Sequence, residues 1–423
     1  MKRRQFLQGA AASTLASTVG CATVPGAARP QVVVIGGGYG GATAARYVRL
    51  WSDGAIDVTL VEPNAAFISC PLSNLVLGGS RRIGDLTMSL DALAARHGVR
   101  LVRDTVTAID TGKRTLALAG GRTLSYDRLI VSPGVEFMWD QLPGMLKPGA
   151  QDTVLHAWKA GAQTVALRAQ LEAMPDGGVY AMTIPPAPYR CPPGPYERAS
   201  QVAFYFSRHK PKSKVLILDA NDDVVSKGPL FKKVWKERYG GIIEYRPSFR
   251  TADVDAASRS AISELGDQVK ADVLNVIPPQ RAGAIAVRGG LANANARWCA
   301  VDFLSFESTQ AKNVHVLGDA IAVAPLMPKS AHMANQHAKV CAAAVVDLLN
   351  GRAPDPHPML TNTCYSFVSD TEVIHVASVH AYDADRKTLL VVPGSGGVSA
   401  APGALEGEYA LNWARNIWAD TLG

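Results

Sequence analysis

Several features are missing from this 423-residue sequence, and each absence excludes a class of protein. No apolar run approaches the roughly 20 residues that a membrane-spanning helix needs, so no transmembrane segment is expected. No basic run or aromatic-interleaved basic patch is present, so nucleic acid is not expected as a partner. The formal charge of +7 does not change this, because Lys2, Arg3 and Arg4 supply part of it in a segment that looks removable. A CxxCH motif is also absent, so no haem is expected on this chain.

Cysteine is sparse, with six residues in the whole chain. Six are too few for a disulfide-stabilised scaffold of this size. Cys299 and Cys341 lie in apolar stretches and are expected to be small buried hydrophobic residues. Cys191 precedes two prolines, which are excluded from a helix interior and which favour an extended backbone at the residue before them. We therefore expect Cys191 on a rigid loop.

The N-terminal segment has the composition of an export signal. The residues KRRQFLQ are followed by an apolar stretch of small residues from Gly9 to Val19 and then by a loose segment rich in Pro, Gly and Ala. This order is typical of the twin-arginine pathway, which exports proteins that have already folded around a cofactor. Residues 1–30 are therefore predicted to be a twin-arginine export signal and linker, and the protein is predicted to be periplasmic. An ordinary secretory signal, or lipidation at Cys21, is the alternative.

Hydrophobic periodicity predicts α/β units along the chain. Strands are predicted at 31–35, 57–61, 178–184 and 214–219, and the first of them is continuously apolar. A helix is predicted at 196–207, between the last two of these strands. The alternating runs 99–109 and 115–118 indicate an inserted hairpin.

A glycine fingerprint for a dinucleotide follows the first strand. Gly36, Gly38 and Gly41 come after a buried apolar strand and open a helix, and Glu62 ends the next strand, about 20 residues beyond the last glycine. Glycines allow a tight turn and close approach to a pyrophosphate, whose negative charge the helix N-terminus favours. The acid accepts hydrogen bonds from ribose hydroxyls. These four residues are predicted to bind the cofactor.

Two further observations favour a flavin over a nicotinamide. In VHVLGDA, Gly318 and Asp319 end a late strand, where flavoproteins with two dinucleotide-type domains place an Asp against the ribityl and phosphate groups. The second α/β unit has no glycine fingerprint, because its first strand is followed by PPAPYRCPPGPYE, whose prolines and tyrosines leave little room for a pyrophosphate. FAD is therefore the predicted cofactor, and NAD(P)H is not expected as a substrate.

The predicted fold class is α/β, with two Rossmann-like dinucleotide-binding-type domains arranged as in glutathione reductase and a small α+β C-terminal domain. The FAD-binding domain is predicted to be discontinuous, comprising residues 31–150 with 285–353. The second Rossmann-like domain, without an NAD fingerprint, is predicted at 151–284. Residues 354–423 are predicted to form the C-terminal interface domain.

Three cysteine-containing segments carry a resemblance to a known family. They are FISCPLSN around Cys70, YRCPPGPYERASQVA around Cys191 and LTNTCYS around Cys364. With VIGGGYGGATAA and VHVLGDA they resemble the flavoprotein subunit of flavocytochrome c sulfide dehydrogenase, from about Gln31 to Gly423. The resemblance implies that Cys70 carries FAD through a thioether to the 8α carbon and that Cys191 and Cys364 form a redox disulfide beside the flavin. Pro71 departs from the family pattern, where a bulkier residue is expected.

The resemblance also implies a reaction and a partner. Hydrosulfide attacks one sulfur of the disulfide, giving a persulfide and a thiolate, and the thiolate donates electrons to the flavin. Since no haem is expected on this chain, a c-type cytochrome subunit is the implied acceptor. Glu197 is predicted to move protons near the disulfide, or else to act as a favourable charge in the first turn of a helix. Lys329 is predicted to face the flavin pyrimidine edge, or else to be an ordinary surface lysine.

Three alternative functions remain open at this stage. A sulfide:quinone oxidoreductase would use the same chemistry with a membrane acceptor, but the C-terminal tail has only one modest amphipathic helix, predicted around 409–417. A non-turnover flavoprotein partner of a sulfur-oxidising system would not need the disulfide. A pyridine nucleotide-disulfide reductase would need the missing second fingerprint and a closely spaced CxxC or CxxxxC pair.

Overall fold

A computed structural model describes residues 29–423. The predicted export signal and Cys21 therefore lie outside the described residues, apart from the last two positions of the linker. Within the described part, no helix is both long and apolar enough to cross a membrane.

The helices and strands of the first third of the described chain alternate in short units. In order they are β1 (Gln31–Ile35), α1 (Tyr39–Trp51), β2 (Asp57–Val61), β3 (Ala66–Ile68), α2 (Ser73–Gly78), β4 (Thr87–Ser89), α3 (Asp91–His97), β5 (Arg100–Val102), β6 (Val106–Asp110), β7 (Thr115–Leu118), β8 (Thr123–Ser125), β9 (Arg128–Val131), β10 (Val135–Phe137) and α4 (Ala150–Thr153).

The middle third contains a second run of alternating elements. In order they are α5 (Ala162–Ala173), β11 (Val179–Ile184), α6 (Gly194–His209), β12 (Lys214–Asp219), α7 (Gly228–Arg238), β13 (Ile243–Arg246), β14 (Thr251–Asp255), β15 (Ser260–Ser263), β16 (Gln268–Lys270), β17 (Val273–Val276), β18 (Gln280–Ala282) and α8 (Ala284–Arg288).

The last third ends in a hairpin-rich sheet and a long helix. In order the elements are β19 (Val301–Asp302), β20 (Glu307–Ser308), β21 (Val314–Val316), α9 (Ala331–Leu349), β22 (Met359–Phe367), β23 (Val373–Asp383), β24 (Thr388–Val391), β25 (Gly397–Val398) and α10 (Ala404–Leu422). Short 3-10 turns lie at 83–86, 139–141, 143–146 and 318–320.

The largest sheet has seven strands in the order β5-β2-β1-β9-β21-β20-β19. It is parallel from β5 to β21, and β20 and β19 add antiparallel strands at one edge. Four strands come from residues before 132 and three from residues after 300, so the chain leaves this sheet and later returns to it. The apolar residues 32–35 of β1 are buried, as expected for a central strand of a parallel sheet.

A second, smaller parallel sheet has the order β13-β12-β11-β17. The C-terminal sheet is antiparallel, with β22 pairing β23 along nine residues and β24 and β25 on the other side of β23. The predicted α/β fold class is confirmed. The domain boundaries given above stay predictions.

The structure corrects two element predictions. The run 99–109 is divided, because β5 pairs with β2 in the large sheet, whereas β6 pairs with β7 in a separate three-stranded meander. The last helix is longer than the predicted 409–417 because tertiary contacts extend it at both ends. Its Asp420 accepts hydrogen bonds from Tyr47 on α1 and from Asn335 on α9.

Candidate active site

A single cavity of about 690 Å³ gathers most of the predicted site residues. It lies at the carboxyl ends of β1, β2, β9 and β21, and the starts of α2 and α6, the end of β22 and helix α10 enclose it. The predicted residues that line it are Gly36, Gly38, Glu62, Cys70, Cys191, Glu197, Gly318, Asp319 and Cys364. Gly41 and Lys329 are not among its lining residues.

The glycine turn leaves the N-terminus of α1 open towards the cavity. Gly36 has a φ of +95°, and a Cβ there would lie 2.3 Å from the Ser132 carbonyl oxygen. A Cβ on Gly41 would lie 1.8 Å from the Gly36 oxygen, so this glycine lets the helix pack on the turn rather than facing the ligand. By contrast, a Cβ on Gly38 would meet no atom within 4 Å. The open space at Gly38 is where a pyrophosphate can approach the helix N-terminus.

Glu62 is held at one end of the cavity by backbone and side-chain donors. Its Oε2 accepts from the Gly37 amide at 2.7 Å, and its Oε1 accepts from the Asn64 amide at 2.8 Å and the Asn64 Nδ2 at 2.6 Å. This fixes the carboxylate beside the glycine turn, as the role of ribose acceptor requires.

Asp319 carries an acceptor that the protein itself does not satisfy. Its Oδ1 is buried and has no hydrogen-bond partner among residues 29–423. Burial raises the pKa of this carboxyl, although Arg190 and Lys329 act in the opposite direction. Since buried polar atoms normally find partners, the unpaired Oδ1 and the open turn at Gly38 fit a dinucleotide that supplies both contacts.

The structure corrects the prediction for Lys329. Its ammonium donates to the carbonyl oxygens of Asp319 at 2.8 Å and Ile321 at 2.5 Å and lies 3.6 Å from the Trp298 ring centroid. Burial lowers the pKa of this group to about 7. The ammonium therefore supports the Asp319 loop from behind instead of facing the cavity, and the Lys329 carbonyl accepts from the Cys191 amide at 2.8 Å.

Cys191 lies on a loop as predicted, but its backbone is not extended. Its φ is +58°, in the left-handed region. The reason is a tight turn into α6, in which the Cys191 carbonyl accepts from the Gly194 amide at 2.8 Å while its own amide is held by Lys329. A Cβ on Gly194 would lie 2.9 Å from the Cys191 sulfur, so the glycine leaves room for the thiol.

Cys364 faces the same cavity from strand β22. Its sulfur lies 3.4 Å from Asn362 Nδ2. Burial raises the pKa of the Cys191 thiol, and the Cys364 thiol, which lines the same cavity, raises it further. Both are free thiols in this structure, so their pairing stays a prediction.

Glu197 lies in the first turn of α6 and is buried beside the thiols. Its Oε1 accepts from the Phe367 amide on β22, and its Oε2 accepts from Asn74 Nδ2 on α2, both at 2.9 Å. Burial raises the pKa of this carboxyl. Glu197 therefore connects three elements around the cavity, and a raised pKa favours the protonated carboxyl, which can donate a proton to a neighbouring group.

Two basic residues near the thiols escaped sequence reasoning. The Arg190 guanidinium lies in electrostatic reach of Cys70, Asp319 and Cys191. Its position directly before Cys191, within the segment that carries the resemblance, was a usable signal. Lys227 donates to the Cys364 carbonyl at 2.9 Å, although the two residues are far apart in the chain, and no sequence signal marks it.

The second parallel sheet has an acid in the position equivalent to Glu62, but its oxygens already accept hydrogen bonds from other side chains of the chain. Asp219 ends β12 and is fully buried. It accepts hydrogen bonds from the hydroxyls of Tyr196 at 2.7 Å and Tyr245 at 3.1 Å and from Asn221 Nδ2 at 2.7 Å. An acid at this place binds the ribose in dinucleotide domains, so a second nucleotide would find its acceptor engaged within the chain.

Three family models match different parts of the chain, and the first two overlap at residues 164–173. The model described as pyridine nucleotide-disulphide oxidoreductase matches residues 30–173. The model described as sulfide dehydrogenase [flavocytochrome c] flavoprotein chain, central, matches residues 164–278. The model described as flavocytochrome c sulphide dehydrogenase, flavin-binding, matches residues 356–422.

Individual relatives agree with these matches. A sulfide dehydrogenase [flavocytochrome c] flavoprotein chain from Chlorobaculum thiosulfatiphilum is 59% identical over 46 residues, which are 11% of this chain and 94% of that sequence. A mitochondrial sulfide:quinone oxidoreductase from Dictyostelium discoideum is 25% identical over 300 residues, which are 68% of this chain. The match spans 65% of that relative's length.

A solved structure shows the same fold. The sulfide:quinone oxidoreductase from Aquifex aeolicus superposes with a TM-score of 0.74 at 16% identity, covering 93% of this chain and 91% of that one. At this identity the likeness concerns the fold alone.

Proposed function

Since the chain belongs to the family of flavocytochrome c sulfide dehydrogenase flavoprotein chains, we propose that it oxidises sulfide with FAD and a Cys191–Cys364 disulfide and passes the electrons to a c-type cytochrome. The family is one of sulfide-oxidising flavoproteins. The observation that carries the proposal for this chain is the convergence of Cys70, Cys191 and Cys364 on the cavity that the glycine turn opens into.

Residues from both ends of the chain would hold the FAD. The helix N-terminus at Gly38 would bind the pyrophosphate, Glu62 the ribose, and the unpaired oxygen of Asp319 a polar group of the ribityl chain. Cys70 lines the same cavity, and we propose that its sulfur is bonded to the 8α carbon of the flavin. When bound, FAD accepts two electrons and one proton from the cysteine pair and releases the electrons one at a time.

The cysteine pair would carry the sulfur chemistry. Hydrosulfide attacks one sulfur of the bridge, so that the bond between Cys191 and Cys364 breaks and a new S–S bond forms. The attacked cysteine becomes a persulfide that keeps the proton of the hydrosulfide, and the other cysteine leaves as a thiolate. A second hydrosulfide removes the outer sulfur as HSS⁻ and leaves a thiol. The thiol and the thiolate then re-form the bridge, which frees two electrons and one proton.

The partner and the compartment are further parts of the proposal. The name of the Chlorobaculum relative describes the flavoprotein chain of a flavocytochrome c, which supports a cytochrome acceptor. The twin-arginine pattern of residues 1–30 supports export to the periplasm, where c-type cytochromes are available. The division into a discontinuous FAD-binding domain, a second Rossmann-like domain and a C-terminal interface domain is also part of the proposal. The separation of the large parallel sheet, the smaller parallel sheet and the C-terminal antiparallel sheet supports it.

A quinone is the second candidate acceptor, because relatives of this chain include sulfide:quinone oxidoreductases. Stopped-flow reoxidation of the sulfide-reduced protein separates the two acceptors. Faster reoxidation by a c-type cytochrome than by a water-soluble quinone would support the proposal. The reverse order would favour the quinone.

An anaerobic absorption titration tests the donor side. Sulfide should bleach the flavin band of the purified holoprotein, and NADH should leave it unchanged. The matched variant is Cys191→Ser with Cys364→Ser, which should bind FAD but resist bleaching by sulfide. Bleaching by NADH alone would show that the second domain has been misread. No response to either donor would favour a non-turnover binding role.

A further inference from the structure

Lys227 occupies an unusual position for a lysine. It is 8% exposed, and it has a φ of +57° at the residue that precedes α7. Lysine is rarely buried, and residues other than glycine adopt the left-handed conformation at a cost. Strained backbone of this kind concentrates at functional sites. The two features together suggest that this ammonium is retained for its chemistry.

The ammonium of Lys227 has hydrogen-bond partners but no ion-pair partner. Its three donors are used by Ser366 Oγ at 2.7 Å, the Cys364 carbonyl at 2.9 Å and the Ile374 carbonyl at 3.3 Å. All three acceptors are neutral, and no carboxylate lies within salt-bridge distance of Lys227 among residues 29–423. The hydrogen bonds therefore fix the position of a buried positive charge without neutralising it.

Three of the four acidic groups that act on this charge line the cavity of the candidate active site. Cys364 has the largest influence, followed by Glu197 and Cys191; Glu406 of helix α10, which does not line the cavity, has the smallest. The Phe231 ring of α7 lies 5.8 Å from the ammonium. Burial raises the pKa of the Cys364 thiol, and Lys227 is the largest of the influences that lower it.

We propose that Lys227 is the counter-charge of the cysteine pair, and that it stabilises the thiolate of Cys364 when the bridge is open. This inference rests on the proposed function, because only an opening bridge places an anion there. A negative charge is costly in a buried site unless a positive charge faces it. Lys227 acts through Cys364 and is a positioning residue, since it does not line the cavity itself.

The stabilisation of the Cys364 thiolate by Lys227 should depend on pH. Burial lowers the pKa of Lys227 to about 8. Below pH 8 the ammonium is charged and favours ionisation of Cys364. Above pH 8 the charge is lost, so this assistance disappears. Glu197 and Cys191 lie near the same charge and can also gain or lose protons. The experiment therefore measures alkylation of the Cys364 sulfur itself.

The test is the pH profile of alkylation at Cys364. The holoprotein is reduced under anaerobic conditions, exposed to short pulses of iodoacetamide between pH 5 and pH 10, and analysed by mass spectrometry of the Cys364 peptide. Lys227→Met should raise the apparent pKa of Cys364 by at least about one unit, which slows alkylation about tenfold on the acid side of the profile. Lys227→Arg should restore most of the reactivity. The buried Cys299 and Cys341 should stay unlabelled in every variant that is folded.

Lys232→Met is the matched control. Lys232 lies on the same helix, but its ammonium is exposed and pairs with Asp223 at 2.5 Å. The alkylation profile of Lys232→Met should match that of the wild type. A shift in the apparent pKa of Cys364 as large as that of Lys227→Met would overturn the proposal. An unchanged profile in Lys227→Met would overturn it as well.

Two further outcomes keep the inference separate from folding and from the proposed function. If Lys227→Met does not fold, Lys227→Arg decides, because a guanidinium keeps its proton throughout this range. The alkylation profile of the wild type should then change slope near pH 8, and the profile of Lys227→Arg should not. A change of slope near pH 8 in Lys227→Arg as well would refute the proposal. If sulfide fails to bleach the wild-type flavin while the alkylation shift is present, the sulfide assignment is wrong and the counter-charge stands.

Discussion

Replacing Asp319 with Ala should have opposite effects on the protein with and without FAD. The Oδ1 atom of Asp319 is buried without a partner among the described residues, and burial raises the pKa of the carboxyl. An unpaired buried acceptor costs about 1–3 kcal/mol of folding free energy. Without FAD, Asp319→Ala should therefore be more stable than its parent by about that amount at pH 7.

The pH dependence of this gain has a definite sign. A carboxyl whose pKa is raised in the folded state destabilises the fold once the pH exceeds its unfolded pKa of about 3.9. The destabilisation is absent below that value, because the group is protonated in both states. The part of the gain that comes from the buried charge should therefore be present at pH 7 and fade as the pH falls towards 4.

With FAD the effect should reverse. Hydrogen bonds that involve a charged group contribute about 1.5–3 kcal/mol. Loss of the Asp319 acceptor should therefore weaken FAD binding by about 10- to 150-fold. Both effects are measured in a Cys70→Ser background, which is expected to keep FAD exchangeable. Urea unfolding at pH 4 and pH 7 gives the stability of the FAD-free protein, and quenching of flavin fluorescence gives the dissociation constant.

Asp385→Ala serves as the control, because Asp385 is an exposed aspartate in the turn between β23 and β24 and does not line the cavity. Its stability and FAD affinity should be close to those of the parent. A less stable FAD-free Asp319→Ala at pH 7, or unchanged FAD affinity, would refute the assignment of Asp319 as a ligand of the cofactor.

Three other changes test separate parts of the site. Denatured wild-type protein should keep flavin fluorescence on a gel and Cys70→Ser should lose it; an equally fluorescent variant would refute the thioether. Cys191→Ser or Cys364→Ser alone should abolish bleaching by sulfide while leaving the FAD absorption spectrum in place, and a variant bleached at the wild-type rate would exclude the bridge. Arg198→Met should lower the free energy of unfolding by about 2–6 kcal/mol, because it leaves Asn74 Oδ1 and the Ala157 carbonyl without a donor. The exposed Arg386→Met should change it by less than about 0.5 kcal/mol in the same urea titration, and equal losses in both variants would contradict the reasoning.

The part of the fold that local sequence determines was predicted closely. The strands Gln31–Ile35 and Asp57–Val61 have the predicted bounds. Turn residues flank each of these mainly apolar segments and limit where the strand can begin and end. The run 99–109 was read as one piece, because alternation alone does not show which partner strand each half meets. β5 pairs with β2, which lies far earlier in the chain, and β6 pairs with β7, which follows it.

The candidate site was predictable where a motif carries the chemistry. The glycine turn, Glu62, Asp319 and the three cysteines all lie within recognisable segments. Lys227 and the tyrosines around Asp219 do not, because their roles arise from contacts between elements far apart in sequence. The prediction that Lys329 faces the flavin is wrong for the same reason. Its ammonium donates to the backbone carbonyls of Asp319 and Ile321, and no motif reveals such acceptors.

The return of the chain to its first sheet has a consequence for biosynthesis. The walls of the cavity are drawn from Gly36 near one end of the chain and from Cys364 and Trp413 near the other. At roughly 5–20 residues per second, tens of seconds of translation separate the first wall from the last. A nascent chain therefore presents only an open half-site, and the cavity is enclosed only after helix α10 has been synthesised.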